Sequence, residues 1–322
     1  MEFLKLLESI RNPFLDFLFL TVTHLGEELV FLALAIVIFW CVSKREGYYI
    51  LITGLVGTVV NQSLKLICRV RRPWTYPGFS AVEGAIGEAT GYSFPSGHTQ
   101  NVVGTLGGMA RWTRRLWLRI TLIVLAVLVA FSRMYLGVHY PTDVLFSVLF
   151  GTLLVMCLYP IFESEERFHK CMPYVVAASV LLALGNFLLA VLTPEADVDA
   201  ANLASALKNG ATLLGCTAGL IPVYLLDRYV IKFDTGARWY AQVIKLVIGL
   251  GVVLLIKEGL SSPLVKLFGN EYLARAVRYF LIVMFAGSVW PLTFAWFGRM
   301  RIGFMEAFTA YIAGLFKSKK AE

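Results

Sequence analysis

Residues 116–133, LWLRITLIVLAVLVAFSR, indicate the fold class of this chain. The run is strongly apolar and closes on Ser132-Arg133, and other apolar runs of about twenty residues recur along the 322 residues. Hydrophobic residues make up 58% of the chain and charged residues only 16%, well below the usual quarter of a soluble domain. Because the runs are continuous rather than alternating, the sequence predicts an all-α, polytopic transmembrane helical bundle.

Two sets of apolar segments are predicted, six before residue 160 and about four after it. The first set is 13–25, 28–43, 48–70, 97–112, 116–133 and 139–160, and the second is 173–193, 210–226, 239–257 and 276–298. Segment 13–25 is short for a span, so we expect it to be tilted or re-entrant. We therefore divide the chain into residues 1–160, a core with an N-terminal interfacial helix, and residues 161–322, a transmembrane extension with a basic amphipathic tail.

The net charge of +8 does not indicate a nucleic-acid partner, because the basic residues cluster at the ends of apolar runs. Lys and Arg are concentrated in one set of alternate loops, which the positive-inside tendency makes cytoplasmic. That assignment predicts cytoplasmic termini and extracytoplasmic polar motifs. The compact loops favour a multi-pass protein of a bacterial plasma (inner) membrane.

The first polar motif is cationic and ends a predicted span. Lys65, Arg69 and Arg72 are spaced by four and three, so they share one face if the helix continues to Pro73. Three cations on one face near a membrane surface suit a phosphate. The alternative is that they only reach toward lipid headgroups.

The second motif, Pro95-Ser96-Gly97-His98, opens an apolar helix. Ser96 suits a helix start, where free N–H groups bind anions, and Gly97 lets an anion approach the backbone closely. His98 adds a titratable group at the same place. The alternative is an ordinary helix cap with an incidental histidine.

The third motif begins at Ser132-Arg133, the end of the apolar run 116–133. Arg133 ends that span, and His139 and Asp143 lie four residues apart at the start of the next helix. A carboxylate beside an imidazole fixes its tautomer and raises its basicity. The alternative is a structural His–Asp pair. Ionisable residues at such positions in a membrane protein are a functional hypothesis in themselves.

The three motifs together resemble the signature of the phosphatidic acid phosphatase type 2 superfamily, over roughly residues 13–160. That superfamily includes lipid phosphate phosphatases, undecaprenyl pyrophosphate phosphatases, glucose-6-phosphatase and sphingosine-phosphate phosphatases. The resemblance implies a six-helix phosphatase core, which this chain extends by about four C-terminal membrane segments. Those segments suggest a dimer interface, a wall through which lipid enters, or a second, translocating function.

The resemblance also implies the role of each motif residue. His139 would be the nucleophile that forms a phosphohistidine, Asp143 would orient it, and His98 would be the general acid and later the base. The phosphoryl oxygens would be held by Lys65, Arg72, Ser96, Gly97 and Arg133. No metal and no other cofactor is expected, since cations replace a metal in stabilising the transition-state charge.

Four further residues are candidates for a second shell or a substrate rim: Arg69, His24, Glu27 and Gln62. The alternative for His24 and Glu27 is a polar turn at the interface. The expected reaction is hydrolysis of a lipid phosphomonoester or pyrophosphate at the extracytoplasmic face. A phosphotransferase that uses the same histidine and a lipid-phosphate transporter are the alternatives. Expected partners are the lipid phosphate and membrane lipids, with a homodimer through the C-terminal helices as one further arrangement.

Overall fold

The computed structural model describes residues 1–306 and residue 309, and every regular element within them is helical. The α-helices are α1 Glu2–Ser9, α2 Pro13–Thr23, α3 Glu28–Cys41, α4 Lys44–Cys68, α5 Glu83–Ile86, α6 Gly97–Val102, α7 Gly108–Trp112, α8 Leu116–Tyr135, α9 Pro141–Phe162, α10 Glu165–Leu192, α11 Ala200–Leu226, α12 Trp239–Gly259, α13 Ser261–Phe268, α14 Glu271–Met284 and α15 Phe294–Arg299. The π turns Val103–Gly107, Asp227–Ile231 and Phe285–Val289 join or extend them.

The predicted membrane bundle is confirmed. Within residues 1–306 and 309, seven helices are long and apolar enough to cross a membrane, and the bent pair α2–α3 makes up to eight. The four predicted C-terminal segments are among the seven, as Glu165–Leu192, Ala200–Ile231, Trp239–Phe268 and Glu271–Arg299. The segment 97–112 is also helical, but a π turn interrupts it.

The short apolar segment 13–25 forms the first half of a broken span. Asn12 caps α2 by accepting a hydrogen bond from the Leu15 N–H, and a 3₁₀ turn at His24–Gly26 joins α2 to α3 at 49°. A Cβ on Gly26 would lie 2.9 Å from the His98 carbonyl oxygen. The missing side chain therefore lets the break pack directly against the helix that follows the Pro-Ser-Gly-His motif.

The N-terminal helix α1 lies at the end of the bundle where the polar motifs meet. Its buried Leu4 and Leu7 pack against Phe79 in the connection that follows α4. Arg11 donates from Nε to the Tyr135 carbonyl at 3.1 Å, a few residues before His139. The sequence predicted both termini at the end opposite the motifs, whereas α1 lies at the same end as the motifs because it docks on Phe79 and Tyr135; the membrane side of each terminus stays a prediction.

The described part of the C-terminal segment lies at the other end of the bundle. Arg238, which precedes α12, forms an ion pair with Glu306 at 2.7 Å. Most of the predicted basic amphipathic tail, residues 299–322, lies outside the described residues.

Close helix contacts join the C-terminal helices to one another. A Cβ on Gly215 of α11 would overlap the Ala276 carbonyl oxygen of α14, and one on Gly219 would lie 2.9 Å from Val283. Small residues at such contacts let membrane helices approach closely. Trp40 of α3 is fully buried and donates to the Ala286 carbonyl at 2.8 Å, so the extension is also tied to the core.

Candidate active site

Lys65 and Arg72 enter the site from the end of α4. The helix stops at Cys68 because Arg69 adopts a left-handed conformation with φ 50°. Lys65 lies in the last turn, whereas Arg72 follows on extended backbone with ψ 149°. The predicted common helical face of Lys65, Arg69 and Arg72 is therefore wrong, since the helix ends before Arg72.

Backbone carbonyls of residues 90–92 hold both cations. Lys65 Nζ donates to the Tyr92 carbonyl at 2.7 Å, and Arg72 donates from Nε to Gly91 at 3.0 Å and from Nη2 to Thr90 at 2.7 Å. A carbonyl oxygen positions a cation without cancelling its charge. The connection between α4 and α6 therefore presents two charged donors ready for an anion.

His139 and Asp143 form a buried pair between α8 and α9. His139 Nδ1 lies 3.2 Å from Asp143 Oδ2, and the two residues are 2% and 1% exposed. The same oxygen accepts from Ser93 Oγ at 2.5 Å and from the Tyr140 N–H at 3.0 Å. These donors fix the carboxylate, which in turn places the proton of His139 on Nδ1.

The second ring nitrogen of His139 points into the cationic group. Its Nε2 lies 2.9 Å from Arg72 Nη1, whose N–H donates to the lone pair. Burial, followed by the charges of Arg72, Arg133 and Lys65, holds the pKa of His139 well below its usual value. The imidazole is therefore neutral near pH 7, with Nε2 carrying a lone pair.

Ser96, Gly97 and His98 open α6 beside this pair. Ser96 Oγ caps the helix by accepting from the Thr99 N–H at 3.4 Å, and the Ser96 N–H donates to the Asp143 carbonyl at 3.3 Å. A Cβ on Gly97 would meet only Asn61 Oδ1, at 3.9 Å, so the space around it is open. Nε2 of His98 is buried and has no hydrogen-bond partner among the described residues.

Arg133 supplies a third cation from the last turn of α8. It is fully buried, and its Nη1 donates to Thr23 Oγ1 of α2 at 2.7 Å. Within the described part of the chain, its Nε and Nη2 have no acceptor. Buried guanidinium N–H groups without acceptors are costly, which suits a site meant to receive an anion.

The four rim candidates do not share one place. His24 and Glu27 contact each other through Nδ1 and Oε1 at the break between α2 and α3, next to His98. Arg69 donates from Nε to the Leu66 carbonyl at 3.0 Å, at the end of α4. Gln62 lines a separate apolar chamber, and its role at the substrate rim stays a prediction.

Sequence reasoning missed two residues that hold the site together. Ser93 anchors Asp143, and its position two residues before Pro95 was a signal that the motif begins earlier. Thr23 anchors Arg133 across 110 residues of sequence, and no local pattern reveals that contact.

The arrangement brings together two imidazoles, a fixed carboxylate and three cations. Within residues 1–306 and 309, no group of three or more His, Cys, Asp or Glu side chains could hold a metal ion. Such a site can bind a phosphoryl group and stabilise the charge that develops during its transfer.

The sequence of this chain is similar to those of known proteins. Residues 46–167 match the model of the PAP2 superfamily, and residues 207–301 match that of the PAP2 superfamily phosphatase, transmembrane extension. The chain is 31% identical to a phosphatidylglycerophosphatase B of Bacillus subtilis, over 50% of this chain and 82% of that protein. It is 28% identical to an undecaprenyl-diphosphatase of Sulfolobus acidocaldarius, over 47% of this chain and 72% of that protein.

A solved structure is also similar. The crystal structure of a transmembrane PAP2 type phosphatidylglycerolphosphate phosphatase from Bacillus subtilis is 29% identical, covers 52% of this chain and 86% of its own, and gives a TM-score of 0.43. The resemblance seen in the motifs is confirmed by the family models and by the relative matched over most of its length. This chain belongs to the PAP2 superfamily and carries the transmembrane extension of its phosphatases.

Proposed function

We propose that this protein is a metal-independent membrane phosphatase that hydrolyses a lipid phosphomonoester or pyrophosphate through a phosphohistidine at His139. The observation that carries the proposal is the orientation of this ring. Its Nδ1 is paired with Asp143, while its Nε2 faces the cations. The relatives named above, a phosphatidylglycerophosphatase and an undecaprenyl-diphosphatase, support a lipid with a terminal phosphate as the substrate class.

In the first step the Nε2 lone pair of His139 attacks phosphorus, and the bond from phosphorus to the leaving oxygen breaks. His98 donates a proton to that oxygen, and Asp143 stabilises the positive charge of the phosphorylated ring. The phosphoryl oxygens take over the N–H of Arg72 and the free N–H groups of Arg133.

In the second step water attacks phosphorus and the bond to Nε2 breaks. His98 accepts the proton of the water, so it returns to the form that begins the next cycle. Lys65 and the N–H groups at the start of α6 stabilise charge in both steps.

We place the site at the extracytoplasmic face of a bacterial plasma membrane. The end of the bundle opposite the site is rich in cations, which supports the assignment of that opposite end to the cytoplasm. These cations include Lys44, Arg111, Arg114, Arg115, Arg119, Arg167, Lys170, Arg228, Lys232, Arg238 and Arg299.

We also propose that residues 1–160 form the phosphatase unit and that residues 161–322 form an extension. A homodimer through the C-terminal helices stays a prediction, which the mass of the detergent-solubilised protein would test.

The direct test is phosphate release by the purified protein in detergent with EDTA. The substrates would be undecaprenyl pyrophosphate, phosphatidic acid, phosphatidylglycerol phosphate and sphingosine phosphate. We expect release that survives EDTA and is lost in His139→Ala. The matched control is His169→Ala, which removes a histidine from α10, outside the site. Release that requires a divalent metal, or that survives in His139→Ala, would overturn the proposal.

A further inference from the structure

A large chamber lies between the core and the extension. It is lined by α3, α4, α11, α12 and α14 and has a volume of about 530 Å³, within the usual range for small-molecule sites. Its residues on α4 follow one helical stripe: Tyr48, Leu51, Leu55, Thr58 and Gln62. The phosphate-binding group lies on another face of α4, where Gly57 and Asn61 approach Gln100 and Gly97.

The walls of the chamber are apolar, and the chamber opens between the helices toward the outer surface of the bundle. Leu29 of α3 and Leu254 of α12 both line it, yet they are 63% and 55% exposed. The chamber extends along α3 from Glu28 to Phe39, or roughly 16 Å at about 1.5 Å per residue. That is about half of a hydrocarbon core of roughly 30 Å, so its depth matches one leaflet of a bilayer.

One end of the chamber is charged. Lys257 of α12 and Arg275 of α14 line it with Glu28, at the end of the bundle where Gln62 lies one turn before Lys65. The Nε of Arg275 is buried without a hydrogen-bond partner, and no described residue forms an ion pair with this side chain. Among the described residues Lys257 forms an ion pair with the exposed Glu258 at 3.2 Å, and the charges of Lys257 and Arg275 both act on the nearby carboxylate of Glu28. A buried guanidinium N–H without an acceptor at the mouth of an apolar cavity can donate to an anionic oxygen.

We propose that this chamber binds a phospholipid, with the phosphate between Lys257 and Arg275 and one hydrocarbon chain along the apolar walls. The charged end, the apolar depth of one leaflet and the sideways opening match the three parts of such a lipid. Lipid binding there does not require the chemistry proposed for His139. The lipid would fill the seam between core and extension and hold the two together.

The test uses the full-length His139→Ala protein, in which the proposed hydrolysis cannot consume the probe. The probe is phosphatidylglycerol with a photoreactive diazirine at the end of one acyl chain, and labelled peptides are mapped by mass spectrometry. We expect labels on the chamber walls, at Leu250–Leu254 and Ile282–Ala286. A diacylglycerol with the same diazirine chain lacks the phosphate and should label these walls far less.

Two double variants test the two halves of the site. Lys257→Gln/Arg275→Gln should weaken labelling affinity at least about tenfold, the effect of losing a charged hydrogen bond. Its matched control, Lys266→Gln/Arg114→Gln, removes two exposed cations away from the chamber. Ala33→Phe/Ala286→Phe should block the walls, whereas Ala177→Phe/Ala178→Phe adds the same bulk to the exposed surface of α10.

Each outcome separates this proposal from the phosphatase reaction. The proposal would be overturned if the label were spread over the outer surface and unchanged in both Lys257→Gln/Arg275→Gln and Ala33→Phe/Ala286→Phe, because the labelled lipid would then be ordinary bilayer. Equal labelling by diacylglycerol would overturn the phosphate contact. A thermal melt of each variant shows that it is folded. Loss of phosphate release in His139→Ala with chamber labelling retained would support both sites separately.

Discussion

The two ring nitrogens of His139 have different environments, and this difference is the basis of the proposed chemistry. Nδ1 lies against a carboxylate held by Ser93 and the Tyr140 N–H, while Nε2 lies against Arg72. Asp143 thus fixes the tautomer and compensates the charge that a phosphorylated ring would carry.

We expect Asp143→Asn to lower kcat on the order of 10³- to 10⁴-fold, because an amide can hold the wrong tautomer of His139. The measurement is phosphate release together with a thermal melt. The matched control is Asp227→Asn, which neutralises another buried carboxylate, paired with Lys44 at 3.0 Å outside the site. Equal losses of activity in the two variants would mean that Asp143 only supports the fold.

The pH dependence of kcat/KM follows from the lowered pKa of His139. The reactive form is neutral, and a pKa below 6.5 keeps it neutral until the pH falls below that value. We therefore expect the acid limb of this residue below pH 6.5. Two substrates with different phosphate pKa values separate the enzyme from the substrate, since a limb that belongs to His139 does not move between them. A common limb above pH 6.5 would contradict the lowered pKa.

Among the helices, the broken span α2–α3 does most to shape the site. It supplies Thr23 to Arg133, and its turn brings Gly26 against His98. A straight helix would carry these groups past the site. The break therefore places part of the first span within reach of the motifs of three later helices.

Gly26→Ala tests that contact. The added Cβ would meet the His98 carbonyl and Val129 at 2.9 Å, so the turn or α6 must move. We expect a loss of about 1–3 kcal/mol in unfolding free energy and a fall in kcat of roughly 10- to 100-fold. In the control Gly87→Ala the Cβ meets nothing within 4 Å, and both quantities should stay near the starting values.

The apolar runs predicted the spans well, because a membrane imposes both their length and their composition. The separation of segment 13–25 from segment 28–43 was predicted from its short length, but the end of α4 at Cys68 was not predictable, since a left-handed Arg69 decides it. The motifs predicted which residues belong to the candidate site. No sequence pattern indicated that the carbonyls of residues 90–92 hold Lys65 and Arg72, because contacts to the backbone leave little trace in side-chain identity.

The molecule as a whole has two unlike ends. One end carries the site, α1 and the charged mouth of the chamber, whereas the other carries most of the cationic loops. The broken span puts the N-terminus at the site end, and the chain passes to the opposite end by residue 299. The N-terminus and the described C-terminal segment therefore lie at opposite ends of the bundle.

Cysteine labelling in intact cells tests this topology. In a background with the five native cysteines replaced, an impermeant maleimide should label Ser9→Cys directly and Arg114→Cys only after lysis, since both positions are exposed at opposite ends. Protection of both residues in intact cells would restore the topology with the N-terminus on the cytoplasmic side.

The anchoring of α1 also has a consequence for biosynthesis. Arg11 bonds to the Tyr135 carbonyl, a partner 124 residues later in the chain. At roughly 5–20 residues per second, ribosomes need about 6–25 s to make that partner. During this interval the newly synthesised N-terminal helix lacks part of its docking place. The apolar face of α1 would then bind the bilayer surface, so the membrane would keep it from water until the rest of its docking site has been translated.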